Sequence, residues 1–160
     1  MDPSRRKILS REALLPALAD ARRRGARVVF TNGCFDLVHA GHVHYLYEAK
    51  RHGDVLVVGL NSDASVRRLK GPERPLVPAE ERAEVLAALE MVDFVSVFDA
   101  DTPIDLIRAI EPDVLVKGAD WAPENVVGRD EVEARGGRVV LAPVRAGLST
   151  TDLVARIRSR

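Results

Sequence analysis

Residues 27–60 read RVVFTNGCFDLVHAGHVHYLYEAKRHGDVLVVGL, and this stretch decides the fold. The β-branched run Arg27–Thr31 is typical of a buried strand, and His42–His52 has the pattern of a helix that stops at Gly53. A second apolar run, Val55–Leu60, predicts another buried strand. A strand, a helix and a strand in this order form a right-handed crossover between parallel strands, so the segment predicts an α/β domain.

The same alternation continues on both sides of this segment. Three further helices are predicted at Arg11–Arg24, with Ser10 as its cap, at Ala64–Leu69 and at Ala79–Met91. Another helix is predicted to begin at Pro103, with Thr102 as its cap. A last helix is predicted to start near Ser149–Thr151 and to bury Leu153, Val154 and Ile157. The other predicted strands are Phe94–Phe98, Val114–Lys117 and Arg138–Leu141. Pro16 is expected to kink the first helix or to delay its start, and three prolines make Gly71–Pro78 an exposed loop. Together these elements predict a doubly wound five-stranded parallel sheet whose ligands bind beyond the carboxyl ends of the strands.

Composition narrows the class of protein. The chain has 160 residues, 30% charged and 46% apolar, which fits one packed domain. Because 24 Lys+Arg balance 24 Asp+Glu, we expect no non-specific nucleic-acid binding, and Arg22-Arg23-Arg24 is interpreted as a solvated helix end. No apolar run approaches the roughly 18 residues of a membrane span, and the polar start Met1–Lys7 lacks the apolar core of a signal peptide, so a cytoplasmic protein without membrane contact is expected. The single Cys34 excludes an internal disulfide and a multi-cysteine zinc site.

The chemistry is expected in the turn after the first strand. Two common nucleotide signatures, Gly-x-x-x-x-Gly-Lys-Ser/Thr and Gly-x-Gly-x-x-Gly, are missing. Instead, His39 and His42 flank Gly41 at the start of a helix, where backbone N–H groups and the helix dipole attract anions. The missing Cβ of Gly41 is expected to leave room for the anion. The turn therefore predicts a polyphosphate pocket.

Other interpretations of this turn stay open. The two histidines can be ordinary polar loop residues, or Asp36, His39 and His42 can form a two-histidine, one-carboxylate metal site. A thiol nucleophile at Cys34 is disfavoured, because a small loop residue whose backbone approaches a ligand explains it without activated-thiol chemistry.

Motifs along most of the chain resemble one group of enzymes. They are Thr31–Asp36, His39–His42, Asn61–Ser65, Arg68–Gly71 with Arg74-Pro75, Asp101–Pro103, Leu115–Asp120 and Gly147–Thr151. The His-x-Gly-His element resembles the nucleotidyltransferase superfamily and its cytidylyltransferase-like group. Its combination with Arg-Leu-Lys-Gly and Val-Lys-Gly-x-Asp resembles the heptose 1-phosphate adenylyltransferases. The resemblance implies a Rossmann-like nucleotidyltransferase domain at 27–160 behind a helical extension at 1–26.

The resemblance also implies roles for individual residues. The catalytic residues would be His39, His42 and Lys70, which hold phosphates as charge builds in the transition state. The nucleotide-binding residues would be Gly33, Cys34, Phe35, Gly41, Lys117, Gly118, Asp120, Gly147, Ser149, Thr150 and Thr151. Asp36 and Arg74 would bind the acceptor sugar phosphate. Mg²⁺ would be carried by ATP rather than by a protein site, and the chain would form a homo-oligomer.

The implied activity is the transfer of AMP from ATP to D-glycero-β-D-manno-heptose 1-phosphate. The products would be pyrophosphate and ADP-heptose, a precursor of the lipopolysaccharide core. The alternatives are a glycerol-3-phosphate cytidylyltransferase-like enzyme and a non-catalytic nucleotide-binding regulator. Bifunctional relatives carry a sugar kinase domain ahead of this one, and residues 1–26 are too few for it, so the kinase step is expected on another polypeptide.

Several of these residues also have simpler explanations. Ser149–Thr151 can be only a helix cap, Lys70 a solvated lysine and Asp120 a turn former. Trp121 is interpreted as packing or rim rather than as a base-stacking residue, and Arg82 as a surface charge.

One position departs from the pattern of the related enzymes. They often have an acidic residue ahead of Gly147, where this chain has Arg145-Ala146. An acidic contact there is therefore in doubt, and Arg145 is expected to add positive charge beside the triphosphate.

Overall fold

Five parallel strands form one sheet in residues 2–160, the part of the chain that the computed structural model describes. They are β1 (Val28–Gly33), β2 (Val55–Asn61), β3 (Phe94–Phe98), β4 (Val114–Gly118) and β5 (Arg138–Ala142). Their spatial order is β3-β2-β1-β4-β5, which confirms the predicted doubly wound sheet. The chain builds outward from β1 on one side and then returns to its other side. This reversal leaves a crevice at the carboxyl ends of β1 and β4.

Seven α-helices connect or flank the strands within residues 2–160. They are α1 (Arg11–Arg23), α2 (Ala40–Lys50), α3 (Asp63–Lys70), α4 (Ala79–Ala88), α5 (Ile104–Ile110), α6 (Arg129–Ala134) and α7 (Thr150–Arg158), with short 3₁₀ turns at Pro3–Lys7 and Pro123–Asn125. No helix in this range combines the length and the apolar composition that crossing a membrane requires.

Both faces of the sheet are buried, because successive strand residues point to opposite faces. On one face Val29, Leu56 and Val58 pack with Leu46 of α2 and Leu86 of α4. The residues buried on the other face include Leu14, Leu18, Val28, Phe30, Val57, Ile107 and Ile110. A parallel sheet covered on both sides explains why its strands are continuous Val- and Leu-rich runs.

The start of α1 agrees with the sequence prediction, whereas the cap of α5 differs from it. Ser10 Oγ accepts the backbone N–H of Ala13 at 3.3 Å, so α1 begins directly after its predicted cap and Pro16 does not delay the start. The predicted Thr102 cap of α5 is wrong, because Pro103 occupies the cap position and no side chain caps that helix.

The helix α7 differs most from expectation. Leu153 and Val154 are only half-buried and Ile157 is 62% exposed, so the prediction that all three are buried is wrong. The helix faces the Gly71–Pro78 loop across a groove of about 580 Å³ instead of lying flat on the sheet. A helical pattern shows which residues share a face but not whether a neighbour covers that face.

Candidate functional site

A cavity of about 360 Å³ lies at the carboxyl ends of β1 and β4, where the strand order reverses. The predicted site residues that line it are Gly33, Cys34, Phe35, Asp36, His39, Gly41, His42, Lys70, Arg74, Lys117, Gly118, Asp120, Ser149, Thr150 and Thr151. Gly147 lies outside this lining; its positive φ of 75° makes the turn ahead of Leu148, which does line the cavity. A cavity of about 510 Å³ at the opposite edge of the sheet contains none of these residues.

The two histidines stack at the start of α2, with ring centroids 3.9 Å apart. His39 is the N-cap residue, and its Nδ1 accepts the N–H of Gly41 at 3.1 Å. Nδ1 of His42 accepts the N–H of His39 at 3.3 Å. Since a ring nitrogen that accepts a hydrogen bond carries no proton, the proton of each neutral ring lies on Nε2. Each ring therefore keeps an Nε2–H donor for a ligand in the cavity that it lines.

Burial keeps His42 neutral. Desolvation, followed by the nearby His39 ring and the Lys70 ammonium, lowers the pKa of His42 from 6.5 to about 4. At neutral pH this residue is a hydrogen-bond donor rather than a cation. Because the unfolded chain takes up this proton more readily, His42 favours the folded state above about pH 6.5, and that advantage is lost as the pH falls towards 4.

Gly41 has a structural role that the sequence pattern did not predict. A Cβ at this position would lie 2.8 Å from Cε1 and 2.9 Å from Nδ1 of the His39 ring. The glycine makes room for the imidazole, and the cap hydrogen bond of His39 depends on that space. That the missing Cβ also leaves room for an anion stays a prediction.

Asp36 is buried and holds the Gly71–Pro78 loop. Its carboxylate accepts from Nε of Arg74 at 2.7 Å and from the backbone N–H groups of Leu76 and Val77 at 2.8 and 3.0 Å. Burial acts to raise the pKa of Asp36, but the hydrogen bonds from Leu76, Arg74 and Val77 outweigh it and lower the pKa below its usual 3.8. Three protein donors already use this carboxylate, so the structure shows an anchor for the loop. A contact of Asp36 with the acceptor stays a prediction.

Arg82 is not a surface charge, because it is only 1% exposed. From α4 its guanidinium donates to the carbonyls of Val77, Cys34 and Asn61 at 2.8, 2.6 and 2.9 Å and to the Asp63 carboxylate at 2.7 Å. The interpretation of Arg82 as a surface charge is therefore wrong. An arginine in an Ala- and Glu-rich helix is normally solvated, and no sequence signal marks this one as buried.

The start of α7 faces the same cavity as the start of α2. Ser149 Oγ caps α7 by accepting the N–H of Asp152 at 3.0 Å. Thr150 Oγ1 donates to the carbonyl of Asp36 at 2.9 Å, which ties α7 to the β1–α2 loop. Because Ser149 and Thr151 line the cavity beside these contacts, two helix N-termini offer positive dipole ends to one ligand.

Basic side chains predominate around the cavity although the whole chain has no net charge. Lys70, Lys117 and Arg145 line the cavity. The carboxylates in its lining are Asp120 and Asp36, and Asp36 already holds the loop. The Lys117 ammonium lies 5.2 Å from the ring centroid of Trp121, which forms part of the rim. The excess of positive charge favours an anionic ligand.

The cytidylyltransferase-like family matches residues 30–156. This chain belongs to that family. The bifunctional protein HldE of Syntrophotalea carbinolica is 60% identical over 154 residues, and that of Trichlorobacter lovleyi is 56% identical over 154 residues. Each alignment covers 96% of this chain and 31% of the relative, so the chain spans about a third of the length of these HldE proteins. The lipopolysaccharide core biosynthesis protein from Thermoplasma volcanium is 27% identical with a TM-score of 0.62, over 76% of this chain and 98% of that one.

Tyr45 and Val144 line the cavity of this cytidylyltransferase-like domain although no sequence motif marked them. The hydroxyl of Tyr45 contacts Thr31 Oγ1 at 2.7 Å and donates to the Val116 carbonyl at 3.1 Å, which joins β1 to β4 beside the cavity. Burial raises the pKa of Tyr45 to about 12. Its spacing of three residues from His42 places both on one side of α2, a signal that periodicity could have supplied.

Two alternative chemistries find no geometric support in this domain. Burial raises the pKa of the Cys34 thiol above its usual 9.0, although Lys70, Arg82 and Arg74 act to lower it, so the thiol is protonated at neutral pH. Within residues 2–160, no group of three or more His, Cys, Asp or Glu side chains is arranged to hold a metal ion.

Proposed function

We propose that this chain transfers AMP from ATP to D-glycero-β-D-manno-heptose 1-phosphate, releasing pyrophosphate and forming ADP-heptose. The observation that carries the proposal is the convergence of two helix N-termini, two Nε2–H donors and three basic side chains on one cavity. These groups suit a triphosphate. The likeness to HldE proteins over 96% of the chain supports the heptose phosphate as the acceptor.

The acceptor needs no general base. The second pKa of a phosphate monoester is about 6, so the anomeric phosphate is already anionic at neutral pH. One of its oxygens attacks the α-phosphorus of ATP, and a new P–O bond forms while the bond to the α,β-bridging oxygen breaks and pyrophosphate leaves. His39 and His42 donate their Nε2–H groups to phosphate oxygens, and Lys70 offsets negative charge. Catalysis then consists of alignment and electrostatic stabilisation.

Mg²⁺ belongs to this proposal as the counterion of ATP. The cavity does not fit a resident Mg²⁺, because among residues 2–160 its lining offers the carboxylates of Asp36 and Asp120 alone, and three protein donors already use Asp36. The ligands of the ion would therefore be phosphate oxygens and water. No step assigned to the protein passes through a metal that the chain holds.

Pyrophosphate release measured across a grid of nucleotides and acceptors tests the activity. We expect turnover with ATP and heptose 1-phosphate and little with CTP or with glycerol 3-phosphate. Turnover confined to CTP with glycerol 3-phosphate would replace the proposal with the cytidylyltransferase alternative. Binding of ATP without pyrophosphate release for any acceptor would identify a regulator instead.

Lys117 gives the site a pH dependence. Burial lowers its pKa to about 8, although the nearby Asp120 carboxylate acts to raise it. Because the ammonium would attract phosphate, we expect the Kd of ATP to rise above pH 8, by up to about tenfold per pH unit. Titration calorimetry from pH 7 to 9.5 measures this. Lys117→Arg keeps its charge over that range and should flatten the profile; a flat wild-type profile would contradict the assignment.

Four broader expectations join this proposal. The extension at 1–26, the cytoplasmic location, the homo-oligomer and the absence of nucleic-acid binding stay predictions. In the structure Ile8 bridges Val95 of the edge strand β3, and the Leu9 N–H donates to the Val95 carbonyl at 2.9 Å. Light scattering after size-exclusion chromatography would measure the oligomeric state.

A further inference from the structure

We propose that Arg82 is a positioning residue that turns the N–H of Phe35 towards the phosphates of the bound nucleotide. This inference rests on the proposed function of the cavity. Arg82 itself is buried in α4 and is not among the residues that line the cavity, so it acts through the Cys34–Phe35 peptide rather than by contact with substrate.

The orientation follows from the geometry of one peptide unit. In a trans peptide the C=O and the N–H point to opposite sides. Nη1 of Arg82 holds the Cys34 carbonyl oxygen at 2.6 Å, so the N–H of Phe35 points away from Arg82. Within residues 2–160 this N–H donates to no protein acceptor, and both Cys34 and Phe35 line the cavity. An unpaired backbone donor at a site of this charge is suited to an anion.

The backbone conformation of Phe35 has to be stabilised by contacts with other segments. Phe35 has a φ of +46°, which is costly for a residue with a side chain. Phe35 is only 6% exposed and its ring centroid lies 5.3 Å from that of His42, so packing fixes the side chain. The guanidinium of Arg82 fixes the preceding carbonyl. These two contacts together stabilise the left-handed conformation of Phe35.

The same guanidinium joins this turn to the Gly71–Pro78 loop. Nε of Arg82 donates to the Val77 carbonyl at 2.8 Å, while the Val77 N–H donates to Asp36 at 3.0 Å. Nη2 is held in turn by Asp63 at 2.7 Å. Because a planar guanidinium has donors in a fixed fork, it can satisfy these acceptors simultaneously, which an ammonium cannot do.

The decisive variant is Arg82→Lys, which keeps the positive charge but loses the planar, forked set of N–H donors. We measure the ¹H–¹⁵N signal of Phe35 on addition of MgATP, the Kd and stoichiometry of ATP, and kcat. In the wild type, ATP should move the Phe35 amide proton downfield. In R82K that shift should be lost and kcat should fall about 10²-fold, since small misplacements of a catalytic group have effects of this size. The Kd of ATP should change less than about threefold, because Lys70, Lys117 and α7 still bind the phosphates.

A merely structural role predicts a different result. R82K would then have a lower melting temperature and fewer ATP-binding sites, but the Phe35 shift and the kcat per binding site would match the wild type; that result overturns the proposal. Arg108→Lys is the matched control, since Arg108 is an exposed arginine that pairs with Glu131. It should change none of these quantities.

A second variant, and a measurement that needs ATP but no sugar phosphate, allow the role of Arg82 to be tested even if R82K does not fold. If R82K does not fold, Asp63→Asn removes the charge that holds Nη2 and should weaken the Phe35 shift and kcat in the same direction; no change in either overturns the proposal. The Phe35 response needs only ATP. Absence of turnover with heptose 1-phosphate therefore counts against the proposed function, whereas ATP binding without a Phe35 response counts against the role of Arg82.

Discussion

Replacing His42 with alanine is expected to lower kcat by about 10²–10³ while the protein stays folded. The substitution removes the Nε2–H that would contact a phosphate oxygen as charge develops. It also removes the Nδ1 that accepts the His39 N–H at 3.3 Å, so the neighbouring ring loses part of its support. Pyrophosphate release measures the loss, and circular dichroism melting shows whether the fold persists.

Two further histidine variants make this result specific. His44→Ala should keep normal turnover, because His44 is exposed on α2 and does not line the cavity. His42→Gln should recover part of the activity, since its amide N–H reaches further towards the position of Nε2 than the alanine methyl does. Near wild-type turnover of H42A would remove His42 from the mechanism.

Asp36→Ala is expected to destabilise the fold by about 3–5 kcal/mol, the usual effect of removing one partner from a buried ion pair. The carboxylate side chain is 1% exposed, and its loss leaves Arg74 and the N–H groups of Leu76 and Val77 without their acceptor. Urea unfolding followed by fluorescence or circular dichroism gives the free energy of unfolding. The Gly71–Pro78 loop should also become more accessible to proteases.

An exposed ion pair supplies the control for Asp36. Asp101 pairs with Arg68 at 2.6 Å but is 62% exposed, so Asp101→Ala should cost less than about 1 kcal/mol. Since the pKa of Asp36 is lowered from 3.8, its contribution to stability is present above that pH and is lost as the pH falls below it. If D36A unfolds at the same urea concentration as D101A, Asp36 does not anchor the loop.

The strands of the sheet could be predicted because each strand is encoded by a short run of neighbouring residues. Each strand is a short run of Val, Leu, Ile or Phe between turn residues, and strand β3 matches its predicted bounds, Phe94–Phe98. The position of the candidate cavity could be predicted as well, since parallel strands bring the segments after β1 and β4 to one edge of the sheet. Lys117 and His39 could therefore be placed together without coordinates.

Local sequence patterns gave wrong predictions where the burial of a residue depends on segments far away in the chain. Arg82 and Ile157 were assigned to the wrong environment, because burial of an arginine needs acceptors from other segments, and exposure of an isoleucine reflects the lack of a covering element. The space that Gly41 leaves for the His39 ring was not predicted either, since only the position of that ring shows what a Cβ would meet.

The amino-acid sequence by itself determined the doubly wound sheet, the edge at which the candidate cavity lies and the residue types gathered there, because apolar periodicity and turn chemistry act over a few neighbouring residues. The tertiary structure alone decided the hydrogen bonds of His39 and His42, the anchoring of a loop by Asp36 and the burial of Arg82. These properties are set by hydrogen bonds and desolvation between segments far apart in the chain, which no local pattern encodes.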